Sequence, residues 1–96
     1  MKYLLTATRT FEKRSSEIVK RNPQIKNKLT LVLETLSNNP FHIRLMTHKV
    51  ISKRYGRKYS SRVSGDIRII WNFAGKKSIV ILLLDIGGHT GKRGVY

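Results

Sequence analysis

The sequence predicts an α+β domain in which a helical hairpin packs on a small antiparallel sheet, in the order β-α-α-β-β-β. Three observations carry this. Two early segments repeat apolar residues at helical spacing. A later segment, Tyr59 to Phe73, alternates at strand spacing around a turn, and a glycine-bounded apolar run, Ser78 to Ile86, follows it. With 96 residues the chain is expected to form a single domain over residues 1–96 with one modest core.

Tyr3 to Thr8 (YLLTAT) suits a short first strand. Thr8 or Thr10 can cap a helix running to about Asn22, with Phe11, Ser15, Ile18 and Val19 on one face and Glu12, Lys13, Arg14, Glu17, Lys20 and Arg21 on the other. Asn22-Pro23 reads as an N-cap followed by proline at the first helical position. The second helix then aligns Ile25, Leu29, Val32, Leu33 and Leu36 on one stripe, and Ser37-Asn38-Asn39-Pro40 stops it. Both stripes must be covered, and the sheet is the obvious partner.

Residues 41–58 read as a solvated basic loop or a short strand. Leu45, Met46, Val50 and Ile51 can anchor it, but Lys49, Lys53, Arg54, Arg57 and Lys58 dominate it.

In Tyr59 to Phe73, Tyr59, Ser61 and Val63 alternate with Ser60, Arg62 and Ser64. Ser64-Gly65-Asp66 offers turn chemistry, with Gly65 free to take positive φ. Ile67, Ile69, Trp71 and Phe73 then form an apolar face opposite Asp66, Arg68, Ile70 and Asn72. Trp71 on this stripe reads as core. Arg62 and Arg68 stand on adjacent strands of one hairpin. Pattern alone leaves open whether they share a face, although both lie off the most apolar stripe. The final apolar run, Ser78 to Ile86, reads as a central strand buried on both faces, ended by Gly87-Gly88 and followed by the basic, glycine-rich tail His89 to Tyr96.

Charge narrows the function. The chain carries 20 Lys+Arg against 5 Asp+Glu, a net charge of +15, and residues 41–96 contain only two acids, Asp66 and Asp85. Such a field recruits polyanions, nucleic acid first and an acidic protein second. The basic residues fall on expected loops and strands and not on a basic amphipathic helix, which argues against a membrane-surface role. No apolar run reaches transmembrane length, and the MKYLL start lacks the length and cleavage pattern of a signal peptide, so the cytoplasm is the expected location. Without cysteine there is neither a disulfide framework nor a thiolate metal site.

The order strand, helical hairpin, then Arg62-Val63-Ser64-Gly65-Asp66-Ile67-Arg68-Ile69-Ile70-Trp71, then Ile81 to Ile86 with Gly87, His89 and a terminal Val95-Tyr96, resembles the RelE/ParE superfamily of toxins from toxin–antitoxin pairs. The resemblance covers nearly the whole chain. It implies a RelE-like, microbial-RNase-like fold and a toxin held inactive by a cognate antitoxin. RelE-like members are endoribonucleases that cut mRNA, usually in the ribosomal A site, without a cofactor or metal. ParE-like members instead poison DNA gyrase, and the fold hosts both activities.

Metal-free RNA cleavage needs a group to take the 2′-hydroxyl proton, positive charge for the phosphorane, and a proton for the departing 5′-oxygen. Arginine suits the second task, because its planar fork holds phosphate oxygens bidentately. Histidine suits either proton transfer. By the resemblance, Arg62 falls where members place a basic residue on the strand before the turn, and Arg68 matches the arginine after the turn that contacts the scissile phosphate. His89 occupies a tail position held by His or Arg in ribonucleolytic members, and Tyr96 matches the terminal tyrosine that stacks on or orients the nucleotide. Lys53, Arg54 and Lys58 are expected to meet the RNA backbone, as are Lys92 and Arg93 of the tail. The stretch between the last strand and Val95-Tyr96 is longer than the usual family tail. Some members use a carboxylate base, and only Asp66 and Asp85 are nearby; Asp66 can simply serve the turn. His42 and His48 fall in the basic loop and are not expected to act. The expected function is an mRNA endoribonuclease with RNA, the ribosome and an antitoxin as partners. The alternatives are a non-catalytic gyrase inhibitor, which would not require His89, and an RNA-binding module. The last is disfavoured because no exposed aromatic pair stands on one strand face.

Overall fold

Residues 2–75 and 79–88 are described by the computed structural model. The chain runs β1 (Leu4–Ala7), α1 (Arg9–Arg21), α2 (Ile25–Asn38), a short 3₁₀ turn (Ile43–Leu45), β2 (His48–Ser52), β3 (Gly56–Arg62), β4 (Ile67–Ala74) and β5 (Val80–Gly88). The strands form one sheet in the order β1-β5-β4-β3-β2. The α+β class and the helical hairpin are as expected, but the sheet is mixed, because β1 pairs parallel to β5. The helical hairpin provides the crossover that a parallel pair requires.

Thr8, not Thr10, caps α1. Its hydroxyl accepts the Phe11 amide at 3.1 Å and donates to the Leu84 carbonyl at 2.9 Å, fixing the helix start to β5. The Thr8 amide also donates to the Leu83 carbonyl at 3.0 Å. Beyond Leu83 β5 has no strand partner on the β1 side, and α1 occupies that edge. Asn22 does not cap α2. Its amide closes α1 by bonding the Ile18 carbonyl at 2.9 Å, and its carbonyl accepts the Ile25 amide at 3.0 Å in the connecting turn. Pro23 therefore lies in the turn, and α2 starts at Ile25 with Gln24 as an N-cap that makes no side-chain bond.

Phe11, Ile25, Leu29, Leu36, Leu45, Val63, Ile69, Trp71, Ile81, Leu83 and Ile86 form the buried core between the helices and the sheet. Trp71 is core as expected. Its indole N–H donates to the Ser61 hydroxyl at 2.7 Å, and Ser61 bonds Thr47 at 2.7 Å. An indole can be buried this fully because its one polar atom is satisfied. β5 is an inner strand, as its continuous apolar run suggests, with β1 and β4 as its neighbours; β4 holds the centre of the sheet.

Of the two readings of the basic stretch 41–58, a loop or a short strand, the strand holds: the stretch supplies all of β2 and the start of β3, paired antiparallel from His48 with Ser60 to Ser52 with Gly56. Lys49, Arg57 and Lys58 stand along this ribbon, and Lys53 and Arg54 in the turn between its strands. One further expectation changes. Gly65 does not use positive φ; among the described glycines Gly56 (φ 76°) and Gly75 (φ 80°) do. The Arg62–Arg68 connection instead closes on the Val63 amide bonded to the Ile67 carbonyl at 2.9 Å, with the Ser64 hydroxyl accepting the Ile67 amide at 3.2 Å.

Candidate nucleic-acid interface

The register of β3 and β4 places Arg62 directly opposite Arg68. Directly opposed residues point to the same face of a sheet, so the two guanidinium groups share one surface. Like charges in that position repel, and here the backbone absorbs part of the cost. The Arg62 Nε donates to the Ser64 carbonyl at 3.2 Å, and an Arg68 terminal nitrogen donates to the same oxygen at 2.6 Å. Arg68 also reaches the Ile67 carbonyl at 3.3 Å. Among the described residues, neither guanidinium is paired with a carboxylate. The remaining N–H groups point a concentrated positive charge at whatever approaches this face.

Alternation along β3 adds Lys58 and Ser60 to the face of Arg62. His48 stands opposite Ser60, so it is diagonal to both Arg62 and Lys58, at about 7–8 Å between backbones. Met46 ties this corner together. Its carbonyl bonds the His48 Nδ1 at 3.0 Å, and its sulfur lies 3.4 Å from an Arg62 nitrogen. Met46 adopts a left-handed conformation (φ 49°) in doing so. The structure thus assembles Arg62, Arg68, Lys58 and an exposed imidazole, His48, on one face. Sequence reasoning passed over His48 because the segment reads equally as a basic loop or a short strand. No alternation marks it, since His48, Lys49 and Ile51 are all exposed and only Ser52 of β2 is buried.

Lys53 and Arg54 lie in the tight turn between β2 and β3, both exposed. The Ser52 hydroxyl accepts the amides of Arg54 and Tyr55, each at 3.2 Å. The Arg54 guanidinium sits 5.5 Å from the centre of the Tyr55 ring, within cation–π range. His89, Lys92, Arg93 and Tyr96 lie outside the described residues.

Asp85 is not placed to act as a base. Only 1% of its surface is exposed, and its oxygens are occupied. Arg14 donates to both carboxylate oxygens at 3.0 Å, the Tyr55 hydroxyl donates at 3.0 Å, and the Ile86 amide at 2.8 Å. Arg14 thus leaves the charged outer face assigned to it by helical spacing and turns inward. Burial pushes the Tyr55 hydroxyl above its ordinary pKa of 10.0; the hydrogen bond to Asp85 and its negative charge add to this, and Arg54 and Arg14 oppose it. Asp66 is exposed at the β3–β4 turn. No cluster of three or more metal-ligating side chains occurs among the described residues, and no helix there is long and apolar enough to cross a membrane.

A helical hairpin on a five-stranded mixed sheet, with cross-strand arginines on a strongly basic face, defines a small α+β protein suited to polyanions. The chain shares this fold with solved structures of YafQ and YoeB/ParE toxins. No protein-family model matches the chain, and no curated protein matches it. Solved structures do. YafQ of E. coli superposes with a TM-score of 0.69 at 18% identity, covering 90% of this chain and 92% of that one. A YoeB/ParE toxin from Agrobacterium tumefaciens gives 0.71 at 14% identity, covering 91% and 99%. YafQ in the E. coli DinJ-YafQ complex gives 0.70 at 21% identity, covering 91% and 93%. At these identities the likeness establishes the fold, and function has to be argued from the site.

Proposed function

We propose that this protein is the toxin of a toxin–antitoxin pair and a metal-independent endoribonuclease that cuts mRNA in the cytoplasm, on the ribosome. The observation that carries this reading is the opposed pair Arg62 and Arg68, two like charges on one sheet face, Arg62 exposed and Arg68 half-buried, with no carboxylate paired to either among the described residues. A pair that costs stability and points outward is expected at a functional site.

The reaction is an in-line transesterification. The ribose 2′-oxygen attacks phosphorus, the bond from phosphorus to the 5′-oxygen breaks, and a 2′,3′-cyclic phosphate and a 5′-hydroxyl result. Arg62 and Arg68 hold the non-bridging oxygens and offset the charge that develops there. His48, on the same face, takes the 2′-hydroxyl proton, and His89 delivers a proton to the departing 5′-oxygen. Tyr96 orients the nucleotide. Lys53, Arg54 and Lys58 meet the flanking phosphates, joined by Lys92 and Arg93. The partner that silences the toxin covers this basic face with an acidic or amphipathic segment; the E. coli DinJ-YafQ toxin-antitoxin complex is a precedent for such a pair on this fold.

The test is mRNA cleavage by the purified protein with and without programmed ribosomes, in the presence of a chelator. Arg68→Ala, His48→Ala and His89→Ala are run beside it. Cuts at A-site codons, ending in cyclic phosphate and lost in Arg68→Ala, are expected. Intact mRNA in every tube overturns the ribonuclease reading and makes a gyrase supercoiling assay the next step.

A further inference from the structure

The β2–β3 hairpin does not lie flat in the sheet. β3 pairs with β2 from Gly56 to Ser60, but with β4 only from Tyr59 to Arg62. Its tip, centred on Lys53, Arg54 and Tyr55, is therefore free of β4. Yet the Tyr55 hydroxyl bonds Asp85 on β5, two strands beyond β3. In a flat sheet the Asp85 row, which runs through Ile70 and Ser60, would lie roughly 16 Å along the strand from Tyr55 and nearly 10 Å across it. No tyrosine side chain spans that. The tip must fold back over the sheet face opposite the helices. Its burial pattern agrees: Ile70 and Ser60 are fully buried, although Ile70 lies outside the core beneath the helices.

We propose that Tyr55 is a positioning residue: its bond to the Asp85–Arg14 pair latches the β2–β3 arm across the sheet so that Lys53 and Arg54 grip the phosphates of single-stranded RNA beside Arg62 and Arg68. This rests on the ribonuclease reading and adds to it the device that shapes the substrate channel. The tip is held by hydrogen bonds at both of its ends. Ser52 accepts the Arg54 and Tyr55 amides at its base, and the Tyr55 hydroxyl fixes its far side. Arg54 lies against the Tyr55 ring, so latching the ring also places the cation. The anchor is itself tied down, because Asp85 is bonded from α1 by Arg14 and from its own strand by the Ile86 amide. The latched arm thus carries Lys53 and Arg54 over the sheet face that bears Arg62, Arg68, Lys58 and His48.

The experiment uses Tyr55→Phe, which keeps the ring and removes only the latch, beside Lys53→Ala/Arg54→Ala and the combination of all three. Two measurements are made: limited trypsin digestion without RNA, scoring cuts after Lys53 and Arg54 by mass, and binding of a short single-stranded RNA across a salt series. Faster cutting at the tip is expected for Tyr55→Phe, with RNA affinity about tenfold weaker. Its salt slope should fall by about 1.4, the share of two single-strand phosphate contacts, while cleavage at saturating RNA stays unchanged. In the Lys53→Ala/Arg54→Ala background Tyr55→Phe should add nothing further. Unchanged trypsin cutting overturns the latch. Faster cutting with unchanged RNA affinity overturns its role in positioning. Absence of RNA binding by the unmodified protein overturns the ribonuclease reading itself, together with the latch's purpose.

Discussion

Arg62 and Arg68 stand directly opposite one another on β3 and β4 and donate to the same carbonyl oxygen, that of Ser64. Stability alone would not select this pairing, since directly opposed like charges are unfavourable by a few tenths of a kcal/mol or more. Stability and activity should therefore move apart on substitution. Arg68→Ala is expected to leave chemical denaturation within about 0.5 kcal/mol of the parent, or slightly above it. Cleavage should fall by about 10²–10³ through loss of phosphorane stabilisation. A parallel loss of both would show that the arginines serve the fold.

Asp85 should behave in the opposite way. It is 1% exposed and ties α1, β5 and the β2–β3 turn together through Arg14, Tyr55 and its own neighbour's amide. Asp85→Ala leaves a guanidinium and a hydroxyl without their acceptor, at a cost of about 3 kcal/mol. That is the low end of the range for a broken buried pair, because the Arg14 side chain keeps 26% exposure. Replacing both partners, Arg14→Met with Asp85→Leu, should recover much of that loss in a urea titration, since no charge is then left unpaired.

The Tyr55 hydroxyl supplies a pH signature. Its pKa is raised in the folded chain by burial first and then by the bond to Asp85, against the opposing charges of Arg54 and Arg14. Folding thus favours the protonated phenol. Its contribution is fully present below about pH 10, the unfolded value, and is lost as pH rises through the higher folded value. Unfolding midpoints measured between pH 9 and 11 should decline in the parent, and the decline should be smaller in Tyr55→Phe. Equal slopes in the two proteins would remove Tyr55 as the source.

What was legible in the chain follows the strength of its periodicity. The two helices, the Arg62–Arg68 hairpin and the apolar β5 run each bury a repeating face and each is present, although α2 starts at Ile25 and Gly87-Gly88, expected to end β5, belong to it and pair with β4. Trp71 could be assigned to the core from its stripe alone. The stretch 41–58 could not be resolved because cations interrupt its alternation. Its strands are held by pairing with each other and by distant bonds such as Tyr55 to Asp85, 30 residues apart. Local sequence carries no trace of such a bond, and for the same reason His48 was missed and Arg14 was placed in solvent. The parallel β1–β5 pairing was equally invisible, because a four-residue strand shows no sign of its partner's direction.

Glycine offers the last and sharpest contrast. Turn composition points to Gly65 as the residue needing freedom, whereas the backbone demands it at Gly56, with φ 76° at the base of the β2–β3 arm. A Cβ at Gly56 would meet nothing within 4 Å, so the cost of Gly56→Ala is conformational, about 1–2 kcal/mol for a left-handed alanine. At Gly65 the φ is not positive, and a Cβ would rest 3.9 Å from an Arg62 nitrogen, an ordinary contact. Gly65→Ala should therefore leave the thermal midpoint unchanged or raise it, by up to about 0.5 kcal/mol, through a less flexible unfolded chain. Gly56→Ala should lower it. Because the strain falls beside Tyr55, Gly56→Ala should also speed tryptic cutting at Lys53 and Arg54, and Gly65→Ala should not. Midpoints that reverse this order would mean that the β3–β4 turn, and not the arm, holds the strained backbone.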